Sequence, residues 1–200
     1  MDADLAVADA SALGAGNIIN GGTLTLGGAE DWMLNSDNVI SDNDRYVDGI
    51  QLYYVGKVVK EDANTITVAH ANTYSGGTGI EAGTLNADHT GALGTGDVAN
   101  YATLNLNAAG QYTLTNITTF DGGTTSLAAG ATLATGILDQ QDGSVLSINL
   151  GTDASSPIIT ADDASLGGTL NITGIGNILT HDPYTCLLYT SPSPRDGLLS

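Results

Sequence analysis

Basic residues are scarce in this chain: four Lys and Arg stand against 22 Asp and Glu among 200 residues, for a net charge of −18. That balance excludes ordinary nucleic-acid binding, which needs a basic footprint to neutralise phosphates. It also disfavours docking on or inserting into an anionic membrane. A dispersed acidic surface keeps an exported protein soluble. Cysteine occurs once, at Cys186, so the chain has no disulfide framework and no thiolate metal site. Aromatics make up 5%, and Trp32 and Phe120 are each alone of their type. The interior must therefore be built from Leu, Ile, Val and Ala, which suits a thin, repetitive core. No apolar run reaches the roughly 18 residues of a transmembrane helix. The opening "MDADLAVADA" lacks the basic and apolar regions of a signal peptide. Capped helical periodicity of useful length is missing as well.

What is present is glycine, at 27 of 200 residues, about double average usage. Short alternating runs such as "GGTLTLGG", "ANTITVAH", "YATLNLN", "SVLSINL" and "GGTLNITG" lie between Gly, Asn and Asp. Thr, Val, Ile and Leu favour a pleated surface, and the punctuation ends each strand. The chain also repeats itself. Ala12–Leu26 matches Ala92–Leu106 without a gap, with identity at Ala12, Leu13, Gly14, Gly16, Asn20, Thr23, Leu24 and Leu26. A weaker echo relates "GGTTSLAAGATL" from Gly122 to "GGTGIEAGTL" from Gly76. No such unit buries its apolar side alone, so units must stack, strand on strand about 4.8 Å apart. Glycines at the corners permit positive φ and close approach of stacked turns. The expected fold is all-β, a right-handed parallel β-helix, because parallel crossovers are right-handed. At about 20–25 residues per coil it makes about eight coils. Leu13, Leu24, Leu26, Ile66, Val68, Ile80, Leu85, Leu93, Leu104 and Leu106 should point inward.

The stretch "NTYSGGTGIEAGTL" followed by "GALGTGDV" resembles the passenger-associated transport repeat of bacterial autotransporters. The pattern falls on Asn72, Thr73, Tyr74, Ser75, Gly76, Gly77, Thr78, Ile80, Gly83, Thr84 and Leu85, then on Ala92, Leu93, Gly94, Gly96 and Val98. Gly79 departs from the usual second threonine. The flanks "WMLNSDNVIS" and "GKVVKEDANTITV" resemble strands that accompany such units, and Leu166–Thr185 resembles the end of a passenger. The resemblance implies a fragment of an extracellular β-helical stalk of the type V pathway, exported through the outer membrane to the cell surface. It supports secretion and folding, and it has no active site of its own. Its implied partners are its own C-terminal outer-membrane barrel and host or surface glycans or proteins. The implied layout is a passenger β-helix over 1–185, with repeats at about 12–26 and 72–106, and Met1 as an internal start. Residues 186–200, "CLLYTSPSPRDGLLS", break the pattern. Cys186–Asp196 can be encoded by DNA resembling a transposon-based sequencing adapter read in frame, so this tail is expected to be non-native and to stand outside the solenoid ladder. Pro192 and Pro194 donate no backbone bonds.

Motifs that carry chemistry are few. A Gly-Asp-Ser-Gly nucleophile motif and Gly-x-Ser-x-Gly are both absent. His70, His89 and His181 sit in unrelated contexts without metal-ligand spacing. No catalytic, cofactor-binding or metal-binding residue is expected. The alternative is a carbohydrate-active β-helix enzyme of the pectate-lyase or hydrolase kind, since fold alone does not settle function. Asp162 and Asp163 are its best acids, but no basic partner follows them before the tail, and residues 1–185 offer only Arg45, Lys57 and Lys60. The densest acidic patch, "SDNDRYVDG" at Ser41–Gly49, fails the calcium-loop pattern because Tyr46 takes a ligand place and no Glu closes the loop. It reads as a loop protruding from the solenoid and as the best place for a binding surface. Asn116-Ile-Thr118 and Asn171-Ile-Thr173 match glycosylation acceptors by chance. The Thr-rich runs at Thr23–Thr25 and Thr65–Thr67 lie too far apart for an ice-binding array that repeats in every coil.

Overall fold

The computed structural model describes residues 4–151, 158–174 and 187–189. The chain winds into a parallel β-solenoid of about eight turns. One side is a nine-stranded sheet of Leu5–Val7, Thr23–Leu26, Lys57–Lys60, Thr78–Ile80, Val98–Asn100, Gly110–Thr119, Ala131–Gln140, Ile159–Leu166 and Leu187–Tyr189, stacked in chain order. A second side is a seven-stranded sheet of Trp32–Leu34, Thr65–Val68, Thr84–Ala87, Thr103–Leu106, Thr124–Leu127, Val145–Asn149 and Thr169–Thr173. Among the described residues every pairing within these two sheets is parallel, as stacked coils require. The central coils repeat tightly: Asn86 sits beside Asn105, 19 residues on, and Asn116 beside Ile137, 21 on.

The Thr-Leu-Asn-Leu type of run explains the strands. Successive side chains point to opposite faces, so alternate leucines turn inward. In register, Ile66, Leu85 and Leu104 form one buried column and Val68, Ala87 and Leu106 the next. Leu24, Leu26, Ile80 and Leu93 are buried too, as expected. Full burial of such a side chain contributes about 1.5–3 kcal/mol. Leu13, which ends the 3-10 turn Ala10–Leu13, packs against this core but is only half-buried. Corner glycines behave as the sequence suggests. Gly94 has φ +68, and a Cβ there would lie 2.4 Å from the Tyr74 carbonyl oxygen of the coil before.

The internal repeat folds out of phase. Thr23–Leu26 lies in the nine-stranded sheet, whereas its counterpart Thr103–Leu106 lies in the seven-stranded one. The column of Leu24 runs through Val58 and Thr78 to Val98 rather than to Leu104. What the two copies share is a corner. Asn20 Oδ1 accepts from Gly22 N and its Nδ2 donates to the Lys57 carbonyl of the next coil. Asn100 does the same with Ala102 N and the Thr124 carbonyl. The unit encodes a turn between two strands, and either pair of faces accepts it.

Three expectations are corrected. The acidic loop is a β-hairpin: Ile40–Val47 pairs antiparallel with Ile50–Tyr54 around Asp48-Gly49, both at positive φ. Asp-Gly between strands is a strong two-residue turn signal, and it was legible. The hairpin lengthens its coil, so that 34 residues separate Asp31 from its neighbour Thr65. The tail does join the ladder at its start: Leu187–Tyr189 pairs parallel with Ile159–Ala161. An open edge offers unpaired N–H and C=O groups to any extended apolar segment. Pro192 and Pro194 lie outside the described residues. Finally, threonine does recur coil after coil, as Thr65, Thr84, Thr103 and Thr124 in one outward column. Beside it, Thr67, Asn86 and Asn105 hydrogen-bond along the axis, so those amides are engaged within the ladder.

Candidate functional site

A broad concavity lies on the solvent face of the nine-stranded sheet. The pleat that buries Ile117 and Leu138 turns their neighbours outward. Asn116, Ile137 and Asp163 thus form one outward row, and Thr118, Asp139 and Ser165 another. The groove encloses about 680 Å³ and is lined by Lys57, Asp97, Asn116, Phe120, Asp139 and Asp163, with Gly76, Gly77 and Ala99 also in its wall. Small residues there leave the furrow open. Asn116 fixes one wall: its Nδ2 donates to Asp97 Oδ1 at 2.9 Å and its Oδ1 accepts from Ile137 N at 3.0 Å. Phe120 stacks on Tyr101 with ring centroids 3.9 Å apart.

This groove brings together residues that the sequence left scattered. Lys57 faces the same space as Asp97, Asp139 and Asp163, although it lies far upstream of the Asp162–Asp163 pair in sequence. That pair itself is split. Asp163 lines the groove, whereas Asp162 sits at the bend opposite Gly136 and lines a separate cleft of about 320 Å³ with Thr113, Thr135 and Thr160. Asp139 and Asp163 occupy adjacent strands two positions apart, a backbone separation of about 8 Å from strand spacing and rise. His70 Nε2 lies 3.3 Å from the Asn38 carbonyl, and His89 Nδ1 accepts from Gly91 N, so each histidine has a local partner. His181 lies outside the described residues. Among the described residues, no group of three or more His, Cys, Asp or Glu side chains is placed to hold a metal ion. No helix among them is long and apolar enough to cross a membrane.

The interior holds polar chemistry that sequence reasoning missed. Lys60 is fully buried, and its ammonium donates to the carbonyls of Glu61 at 2.5 Å, Asp62 at 2.9 Å and Ala82 at 3.1 Å. Burial pushes its pKa down, and the carboxylates of Asp62 and Asp31 oppose that. Strand parity was the available signal, because Val58 points inward and Lys60 follows two residues later. Tyr74 is buried with its hydroxyl 2.6 Å from Thr78 Oγ1, which donates to the Leu93 carbonyl. Burial holds the Tyr74 hydroxyl protonated well above the usual tyrosine range, against a smaller opposing effect of the Thr78 hydrogen bond. Tyr112 donates to the Ala87 carbonyl and accepts from Ala108 N. These groups satisfy corner carbonyls between coils, which is a structural task.

No protein-family model matches the chain, and no solved structure matches it. Among curated proteins it is similar to the adhesin BmaC autotransporter of Brucella suis biovar 1 (strain 1330), with 30% identity over 147 residues. The aligned stretch takes up 74% of this chain and 4% of that much longer protein.

Proposed function

We propose that this chain is part of an extracellular β-helical stalk, an autotransporter passenger segment that carries adhesive surface away from the cell. The observation that supports it best is the uninterrupted parallel ladder, which makes a rod because each coil pairs along its length with its neighbours. The similarity to an autotransporter adhesin points the same way. In this reading residues 1–185 are passenger, export depends on an outer-membrane barrel encoded C-terminal to them, and the rod presents itself to host or surface glycans or proteins. Residues 186–200 are a non-native addition, and amplification of the locus from source DNA tests this directly. Surface exposure is tested by adding protease to intact cells that express the native gene. Loss of the stalk epitope without lysis is expected; an epitope protected until lysis rejects the reading.

One observation favours a second reading. Lys57, Asp139 and Asp163 share a groove, with the two acids on adjacent strands, and a pair of carboxylates flanking the scissile bond is what glycosidases use. As an enzyme the protein would act on uronate or other glycan chains. The full chain is assayed on polyuronates, peptides and esters. Turnover that disappears in Asp139→Asn and Asp163→Asn selects the enzyme; no turnover above buffer in any assay selects the stalk.

A further inference from the structure

The hairpin stands off the coil path. The chain leaves at Asp42, whose Oδ1 accepts from Gly56 N at 2.7 Å and from Ser75 N at 3.0 Å, and rejoins the solenoid at Gly56. Its second strand, Ile50–Tyr54, is the outer member of a three-stranded sheet ordered Ile18–Asn20, Ile40–Val47, Ile50–Tyr54. Among the described residues, no strand pairs with its far side. Exposed edges are normally guarded by proline, charge, a bulge or shortness. Here the register runs unbroken from Asn43 beside Tyr54 to Val47 beside Ile50, so the pairing holds no bulge. The run "IQLYYV" contains no proline and no charge. By contrast, Leu5–Val7 and Trp32–Leu34, the edges at the first coil, are three residues long. Large apolar side chains stand in solvent on this strand: Ile50 is 64% exposed and Tyr53 68%.

The two faces of this edge ask for different chemistry. Alternation puts Ile50 and Leu52 on one face and Tyr53 on the other. Asp44 stands directly opposite Tyr53, and Asp48 lies at the turn. We propose that Ile50–Tyr54 is a β-addition site for an extended partner segment that alternates apolar and basic residues. The incoming strand continues the sheet by backbone hydrogen bonds. Its apolar residues cover Ile50 and Leu52. Its basic residues lie about 4.8 Å from Tyr53 and about twice that from Asp44, so the cation rests on the phenol ring and reaches the carboxylate. The charge of −18 on the whole chain draws such a segment in and opposes a second copy of the same chain.

The probe is a fluorescein-labelled Lys-Val-Lys-Val-Lys-Val-Lys peptide titrated into the full chain at physiological salt and read by fluorescence anisotropy. Saturable binding is expected. Two versions of the peptide, N-methylated on all the valines or on all the lysines, separate edges: one should lose about tenfold or more in affinity, because only one side of the peptide faces the sheet. Tyr53→Ala and Asp44→Asn, both in exposed positions and checked for unchanged circular dichroism, should each weaken binding severalfold. Glu replacing Lys in the peptide should abolish it. Equal binding by both N-methylated peptides, or equal binding by the variants, means general attraction to an acidic body and overturns the site. Absence of binding overturns it too. A dimer seen by sedimentation that persists in excess peptide assigns the edge to a second copy and likewise overturns the proposal.

Discussion

Tyr74 carries a bulky polar group into a narrow apolar interior, which is tolerated because Thr78 and the Leu93 carbonyl complete its hydrogen bonds. The hydroxyl is a weak acid whose folded pKa is raised above its ordinary 10.0 by burial. A group raised in the folded state stabilises fully below its unfolded value and loses that contribution as pH rises above it. Stability should therefore fall as pH climbs past about 10, the unfolded tyrosine value. Tyr112, raised by the same cause, adds to the fall. Urea midpoints of Tyr74→Phe should drop by the equivalent of about 0.5–1.5 kcal/mol at neutral pH for the lost hydrogen bond, yet decline less than the native chain on going alkaline. Lys60 gives a second expectation. In Lys60→Met the carbonyls of Glu61, Asp62 and Ala82 lose their donor, so equilibrium unfolding should report a loss of about 1–3 kcal/mol. No change would mean that relief from burying the cation offsets those bonds.

Strands in the middle of the stack are held on both sides, whereas among the described residues Leu5–Val7 and Trp32–Leu34 are paired on one side. Thr103–Leu106 pairs with Thr84–Ala87 and with Thr124–Leu127. Leu104 is fully buried between Leu85 and Thr125 of the adjoining coils, and Leu104→Ala should cost about 2–5 kcal/mol in a urea titration, the range for a leucine cavity in a packed core. Leu13 is its opposite in the turn Ala10–Leu13. Leu13→Ala should cost about 1 kcal/mol or less, because the side chain is already half in water. Equal losses at the two positions would mean that the first turn is as firmly packed as the centre. The hairpin differs again. It is the one antiparallel pairing described, and it hangs from the solenoid by the Asp42 carboxylate and the Gly56 backbone.

For the whole molecule, the dominant fact is a thin rod with a charge of −18. Stacking places acids of successive coils on shared faces, as with Asp97, Asp139 and Asp163 in one groove. Their mutual repulsion opposes the compact state, and it is screened as the Debye length shrinks from about 30 Å at 0.01 M salt to about 8 Å at 0.15 M. Thermal melts should move upward over that range, with most of the gain realised by physiological salt. A midpoint that falls with added salt would mean that attractive pairs, such as Lys57 with the groove acids, outweigh the repulsion.

Alternation in runs such as "TLNL" and "TITV" determined strands and the inward leucines, because side-chain parity needs no tertiary partner. Gly-rich corners and the scarcity of large aromatics determined stacking, since single coils have too little apolar surface to close on themselves. The Asp48-Gly49 hairpin and the inward Lys60 were also readable, one from turn chemistry and one from parity with Val58. Register was not. Which strand lies beside which depends on coil length, and coils of 19 and 34 residues look alike until they are stacked. Only stacking sends two related units, at Ala12 and Ala92, to different faces, aligns threonines 19 residues apart into one column, and carries Lys57 to the groove of Asp139 and Asp163. Those neighbours are more than eighty residues apart in the chain, and the spacing that joins them is set by the hydrogen-bond ladder between coils.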